Sequence, residues 1–134
     1  NLGWANRELK QIADNDIYTL YVNEKDKIAK IYLKRHVMKV NETPIAFGPI
    51  FQFFKSEVIT SESTAIPQAY RPINDIIVPI NTCTDFGTTA TGGNRFSISR
   101  DGVVGVSSFG FASTKSQITA TSDISPAIIE YKFN

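Results

Sequence analysis

The sequence contains few residues that could assemble a catalytic centre. Cys83 and His36 are the only cysteine and the only histidine, and together they are the simplest nucleophile–base dyad available to the chain. Thr82 and Thr84 flank Cys83, so it has neither the small-residue turn nor the helix start that activates a thiol. We therefore interpret Cys83 as a small structural residue and His36 as a half-exposed surface residue.

The remaining chemistry-bearing residues indicate no enzyme, metal or cofactor. One Cys and one His exclude a disulfide framework, multi-cysteine metal motifs and paired-histidine zinc sites. Glu57 and Glu62 fall in what reads as a single polar loop, where carboxylates are usually solvated. The glycines of Thr91–Asn94 lead into a predicted strand, and a phosphate-binding loop needs a helix start at that point.

Charge and hydropathy exclude two classes of partner. Lys and Arg total 14 against 13 Asp and Glu, a net charge of +1, which gives no general field for nucleic acid. The basic residues between Lys25 and Lys39 spread over both faces of a predicted strand. Charged residues interrupt every apolar run, so no membrane span is predicted. The start of the chain has no signal-peptide pattern and no Met, from which we expect a fragment or a trimmed product whose upstream part is missing.

The hydrophobic pattern divides the chain into a short helical segment, 1–16, and an all-β domain, 17–134. Asn6 as N-cap and the spacing of Leu9, Ile12 and Ala13 predict a helix of about two turns. Apolar and β-branched runs separated by turn residues then predict short strands at 17–22, 27–40 (with a bulge or a second strand inside it), 50–54, 76–80, 117–120 and 129–133. Pro79 indicates an edge or a strand end. This pattern is typical of an antiparallel Greek-key barrel or β-sandwich.

The clearest local signal is a hairpin around Asp101-Gly102. A two-residue loop would place its apolar residues on opposite faces, whereas a three-residue loop with Gly102 in the left-handed conformation pairs Ile98 with Val104 and Phe96 with Val106. We therefore predict the three-residue loop. It exposes one polar face, made of Arg95, Ser97, Ser99, Gly105 and Ser107.

That polar face is the candidate site. Sugar rings combine apolar C–H faces with many hydroxyl groups, so proteins hold them with aromatic surfaces and planar polar side chains. We assign Arg95 as a hydrogen-bonding fork, with Ser97, Ser99 and Ser107 as hydroxyl partners. Trp4, Tyr70 and the aromatics of 109–111 are further candidates for stacking on a sugar, although most aromatic residues of such a domain belong in its core.

Four segments carry a resemblance to a known family. They are Thr19–Ile28, Pro67–Pro72 with its Tyr-Arg-Pro element, Arg95–Gly102, and Tyr131–Phe133. In their order and spacing, from residue 18 onward, the sequence resembles the receptor-binding head domains of siphophages that infect lactic-acid bacteria.

The resemblance implies a homotrimeric, non-enzymatic head with a Greek-key barrel that recognises saccharides of the bacterial cell wall. It also implies a place at the phage tail tip or baseplate, after synthesis in the host cytoplasm. Residues 1–16 would end a neck that leads to other baseplate proteins through the missing N-terminal part. An adaptor or scaffold module of the baseplate, with no receptor of its own, is the alternative.

The predicted binding face departs from the family pattern. Where family heads carry an outward His and Asp, this chain has Ser97 and Ser99, and the family Trp falls near Val106 and Ser107. The ligand therefore differs, or the site lies elsewhere.

Overall fold

The protein, described by a computed structural model over residues 9–39, 45–80, 91–112 and 121–134, is built from β-strands. Within these ranges there is no α-helix, and the only helical turn is a 3₁₀ turn at Gln68–Tyr70. The strands are β1 (Lys10–Asp14), β2 (Tyr18–Asn23), β3 (Ile28–Leu33), β4 (His36–Lys39), β5 (Ile45–Phe47), β6 (Ile50–Val58), β7 (Ile76–Ile80), β8 (Thr91–Ile98), β9 (Val104–Ala112), β10 (Thr121–Ile124) and β11 (Ala127–Lys132).

The strands form two main antiparallel sheets and a small ribbon. One sheet has the order β1-β2-β3-β11, the other β5-β6-β9-β8-β7, and β4 pairs with β10. In the five-stranded sheet β7, β8 and β9 are neighbours and β6 lies beside β9, which is the Greek-key order. The antiparallel all-β prediction is confirmed.

Of the two predicted architectures, barrel and β-sandwich, the barrel is wrong, because both sheets are open. Their edges approach each other at one corner, where the amide of Ile73 donates to the carbonyl oxygen of Lys132 over 3.2 Å. The edge strands β7 and β11 form no ladder with each other. Pro79, which has no amide hydrogen to donate, lies in β7 at the edge of its sheet, as its position in the sequence predicted.

A single hydrophobic core joins the two sheets. Alternate residues of β2, β3, β7, β8, β9 and β11 point inward, and their buried side chains form one cluster with contributions from the ribbon and from the loop before β7. Its largest fully buried members are Tyr18, Leu20, Val22, Ile31, Leu33, Met38, Ile66, Phe96, Ile98 and Ile124. The opposite, outer faces of the sheets remain available for other contacts.

The predicted N-terminal helix is wrong where the structure describes it. Lys10–Asp14 form an edge strand that pairs with β2, and an irregularity of register between Gln11 and Ala13 leaves Ile12 as an extra residue. Because of this bulge, the consecutive residues Ile12 and Ala13 both pack on the core, which breaks strand alternation and imitates helical spacing. An isolated two-turn helix is only marginally stable, so pairing with the sheet determines the structure of this segment. Residues 1–8, with Trp4 and Asn6, lie outside the described residues.

The hairpin prediction is confirmed. Ile98 pairs with Val104 and Phe96 with Val106, and the amide of Gly102 donates to the carbonyl oxygen of Ser99 over 3.0 Å. Gly102 has a φ of +81°, the left-handed conformation that the three-residue loop requires. The 27–40 run contains two strands, β3 and β4, whereas the predicted strand 117–120 lies outside the described residues.

Buried tyrosine hydroxyls fasten the long β6–β7 connection to the four-stranded sheet. The hydroxyl of Tyr18 donates to the carbonyl oxygen of Thr64 over 2.7 Å, and that of Tyr131 donates to the carbonyl oxygen of Tyr70 over 2.6 Å. The ring of Tyr70 packs edge-on against Phe133. The Tyr-Arg-Pro element therefore has a structural position here, and Tyr70 is partly buried.

We predict that Tyr131→Phe lowers the free energy of unfolding by about 1 kcal/mol at neutral pH, because one buried hydrogen bond is lost. Burial, with a contribution from Tyr18, raises the pKa of the Tyr131 phenol. A raised folded-state pKa means that the stabilisation by this phenol is present below the unfolded pKa of about 10 and is lost above it. Urea unfolding between pH 7 and 11 should therefore show the stability curves of wild type and variant converging above pH 10. Parallel curves would contradict this role.

Candidate functional site

The predicted polar face lies on the outside of the five-stranded sheet, at its centre. Arg95 in β8 stands opposite Ser107 of β9. Ser97 stands opposite Gly105 on one side and Ile77 on the other. Strand β6 extends the same surface, since Ser56 pairs with Ser107. Four strands thus contribute to one outward surface.

This surface contains an open depression with a volume of about 330 Å³, which we call the Arg95 depression. Three of the four predicted site residues, Arg95, Ser97 and Ser107, line it. The other lining residues are Phe54, Ser56, Glu57, Val58, Ile77, Gly105 and Val106. Its size is at the lower end of the range of about 300–1,000 Å³ found for small-molecule sites.

Polar groups converge in the Arg95 depression. The Nε of Arg95 donates to the Oγ of Ser107 over 2.9 Å, which attaches the guanidinium to the neighbouring strand β9. Among the described residues, Arg95 has no other hydrogen-bond or ion-pair partner, and the hydroxyl of Ser97 has none. The terminal amino groups of Arg95 and the Ser97 hydroxyl can therefore bind a ligand.

Gly105 forms the floor of the Arg95 depression. A Cβ at this position would lie 2.9 Å from the Oγ of Ser97 and 3.3 Å from the carbonyl oxygen of Glu57. Any side chain at position 105 would therefore occupy the space between β6 and β8. The missing side chain makes the surface concave at this point.

The fourth predicted site residue, Ser99, does not line the Arg95 depression. Its Oγ accepts hydrogen bonds from the amides of Asp101 and Val103, each over 3.2 Å. Ser99 is a residue of the hairpin turn, where serine hydroxyls commonly bind the backbone of the following residues.

The predicted exposure of Ser107 and Gly105 is wrong. Ser107 is only 8% exposed, and Gly105 is buried. Strand β9 lies between β6 and β8, so side chains of both neighbours, including Arg95, cover it. Ser107 presents its hydroxyl at the base of the Arg95 depression, and Arg95 and Ser97 are exposed.

The apolar part of the Arg95 depression was missed at the sequence level. Phe54, Val58 and Ile77 line it, and each is more than half exposed. In β7, the alternation of Ile77 with the inward-pointing residues Ile76 and Val78 was a signal. What the alternation could not indicate is that β6 and β7, distant in sequence, flank the Arg95–Ser107 pair.

The histidine has a carboxylate partner that the sequence did not indicate. The Nε2 of His36 lies 2.6 Å from Oε1 of Glu57, and both side chains are about one-third exposed. Glu57 belongs to strand β6 and not to the following loop. The pair joins the β4–β10 ribbon to the five-stranded sheet, since His36 lies in β4.

Cys83, the other member of the dyad considered from the sequence, lies outside the described residues. In the described part of the chain, no three His, Cys, Asp or Glu side chains are grouped so as to hold a metal ion. No helix in those ranges is long and apolar enough to cross a membrane.

No protein-family model, curated protein or solved structure matches this chain.

Proposed function

We propose that the protein is a non-enzymatic adhesion domain, the receptor-binding head of a phage of lactic-acid bacteria, and that it binds cell-wall saccharide in the Arg95 depression. The observation that supports the proposal best is the combination of groups in one place. A flat guanidinium and two serine hydroxyls lie beside exposed apolar side chains over a glycine floor.

Each part of the Arg95 depression suits a different part of a sugar. The amino groups of Arg95 form a fork that donates to neighbouring hydroxyl oxygens, and the Ser97 hydroxyl can donate or accept. Phe54 and Ile77 offer apolar surface to the C–H face of the ring. An open depression with few polar groups limits the affinity of one copy, and a homotrimer would raise it through avidity.

The proposed location is tested by recording amide chemical shifts of the labelled chain during titration with polysaccharide fragments from the walls of lactic-acid bacteria. We expect the shifts to change at positions 54–58, 95–97 and 105–107. No change with fragments from any strain of a broad panel, or changes confined to other surfaces, would refute the proposed site. A solution mass of about three times 14.9 kDa would support the trimer, and a stable monomer would contradict it.

We predict that Gly105→Ala weakens saccharide binding while leaving the charge of the site unchanged. The new methyl group would fill the floor and displace the Ser97 hydroxyl, which lies 2.9 Å from the position of the added Cβ. A loss of about tenfold in affinity, measured by calorimetry, is expected from one displaced hydrogen-bonding group. Gly48→Ala is the matched control, since no atom lies within 4 Å of a Cβ at Gly48. Equal affinities of the two variants would contradict a ligand seated over Gly105.

The exposed apolar side chains also favour a second candidate, an adaptor module of the baseplate. Phe54, Val58 and Ile77 are the kind of surface that a protein partner would bury. In that case the chain would bind other tail proteins through this face, and polysaccharide fragments would produce no change at positions 95–97.

A further inference from the structure

The four-stranded sheet carries a second depression, on the opposite side of the molecule's core from the polar hairpin face. Its volume is about 390 Å³, and its lining residues are Leu9, Thr19, Tyr21, Lys30, Tyr32 and Ile128. We call this surface the tyrosine face. None of these residues lines the Arg95 depression.

Strand register places the side chains of the tyrosine face in two neighbouring rows across three strands. In one row, Tyr32 stands between Thr19 and Ile128; in the other, Lys30 stands between Tyr21 and Glu130. Tyr21 and Tyr32 are therefore diagonal neighbours, whose positions are about 7–8 Å apart in an antiparallel pair. Both tyrosine side chains line the same depression.

The first row leaves apolar surface uncovered. Tyr32 is 38% and Ile128 59% exposed. Tyrosine offers a rigid, flat ring with a polar hydroxyl at its end, which suits a ligand that is apolar on its face and polar at its rim. The Oγ1 of Thr19 donates its proton to Oδ1 of Asp14 over 2.8 Å. Toward a ligand, this hydroxyl can therefore act only as a hydrogen-bond acceptor.

The charged residues of the tyrosine face are balanced, which favours an uncharged ligand. Lys30 and Glu130 are directly opposite each other, so their charges balance at this part of the sheet. At the end of the first row, Asp14 is matched by Lys34, whose Nζ lies 2.8 Å from Oδ1 of Asp14. A surface with paired charges and two tyrosine rings complements an uncharged polyhydroxylated ring better than it complements an ion or a purely apolar segment.

We propose that the tyrosine face is a second saccharide subsite, which binds one uncharged pyranose by stacking on Tyr32 and Tyr21. The inference extends the proposed function, because it gives one copy of the chain two separate contacts with a polysaccharide. It makes a different prediction from the Arg95 depression, since no guanidinium takes part.

The test is an amide and tyrosine-ring chemical-shift titration of the full chain with neutral methyl pyranosides, with sorbitol as the acyclic control. Shift changes at Thr19, Tyr21, Tyr32 and Ile128 that sorbitol does not reproduce support the subsite. No change there with any of the pyranosides, or equal changes with sorbitol, would overturn it.

Side-chain variants separate stacking from a structural role of Tyr32. Tyr32→Ile keeps a β-branched neighbour for Ile128 and removes the flat ring, so the dissociation constant should rise by about two- to tenfold. Tyr32→Phe keeps the ring and should bind within about twofold of wild type. Equal binding by the two variants would overturn the stacking role.

The titration distinguishes a refutation of the tyrosine subsite from a refutation of the proposed site at Arg95. Shift changes confined to positions 95–97 and 105–107 would overturn the tyrosine subsite and leave the proposed function intact. Changes confined to the tyrosine face, unaltered in Arg95→Ala, would support the subsite and refute the Arg95 depression as a sugar site.

Discussion

Replacing Gly102 with alanine is expected to lower the free energy of unfolding by about 3–5 kcal/mol. Gly102 has a φ of +81°, and an added Cβ would lie 2.6 Å from both Nε of Arg71 and the carbonyl oxygen of Ile66. The left-handed conformation alone costs an alanine about 1–2 kcal/mol. The remainder comes from displacement of the neighbours.

The neighbours of Gly102 cannot move without losing hydrogen bonds. The amide of Ile66 donates to the carbonyl oxygen of Gly102, and Nε of Arg71 donates to the carbonyl oxygen of Ile66, each over 2.9 Å. These bonds attach the hairpin tip to the β6–β7 connection, and Ile66 is fully buried. Each lost bond contributes about 0.5–1.5 kcal/mol.

Urea unfolding of Gly102→Ala beside Gly48→Ala measures this effect. Gly48 also has a positive φ, +63°, but no atom lies within 4 Å of a Cβ placed there. Gly48→Ala should therefore cost only about 1–2 kcal/mol, the conformational term. Equal losses in the two variants would mean that the packing of Arg71 and Ile66 against Gly102 contributes nothing.

The second large effect concerns binding. We expect Arg95→Ala to weaken the affinity for wall polysaccharide by about 10- to 100-fold, because hydrogen bonds to a charged group contribute about 1.5–3 kcal/mol. The fold should be unaffected, since Arg95 is exposed and its one described partner, Ser107, is on the neighbouring strand. The affinity of Arg95→Lys should lie between those of the wild type and Arg95→Ala, because lysine keeps the charge and lacks the forked pair of donors.

Arg100→Ala is the matched control for Arg95→Ala. Arg100 is an exposed arginine of the same hairpin, and its guanidinium lies 3.9 Å from Asp75, away from the depression. Isothermal calorimetry should give wild-type affinity for Arg100→Ala. Similar losses in both variants would indicate a general effect of charge and would contradict a specific contact at Arg95.

The sequence allowed good prediction wherever the determining contacts are local. The loop around Gly102 follows from the Asp101-Gly102 pair and from the alternation on either side of it. The edge position of β7 follows from Pro79, since proline cannot donate to a ladder. In both places a few neighbouring residues decide the conformation.

Prediction failed where residues distant in sequence decide the structure. Leu9, Ile12 and Ala13 together have helical spacing, but pairing with β2 and a bulge determine the conformation of Ile12 and Ala13. The burial of Ser107 and the contribution of Phe54 and Val58 to the Arg95 depression both depend on the pairing of β6 with β9. That pairing closes a long connection, for which the sequence contains no local signal.

The most direct test of saccharide adhesion uses the labelled chain on intact cells of a panel of lactic-acid bacteria. Samples of the cells are treated beforehand either with mild periodate, which cleaves vicinal diols of sugars, or with protease. We expect binding to a susceptible strain that survives protease, disappears after periodate and is lost in Arg95→Ala but retained in Arg100→Ala. Binding that survives periodate and disappears after protease would contradict a saccharide receptor.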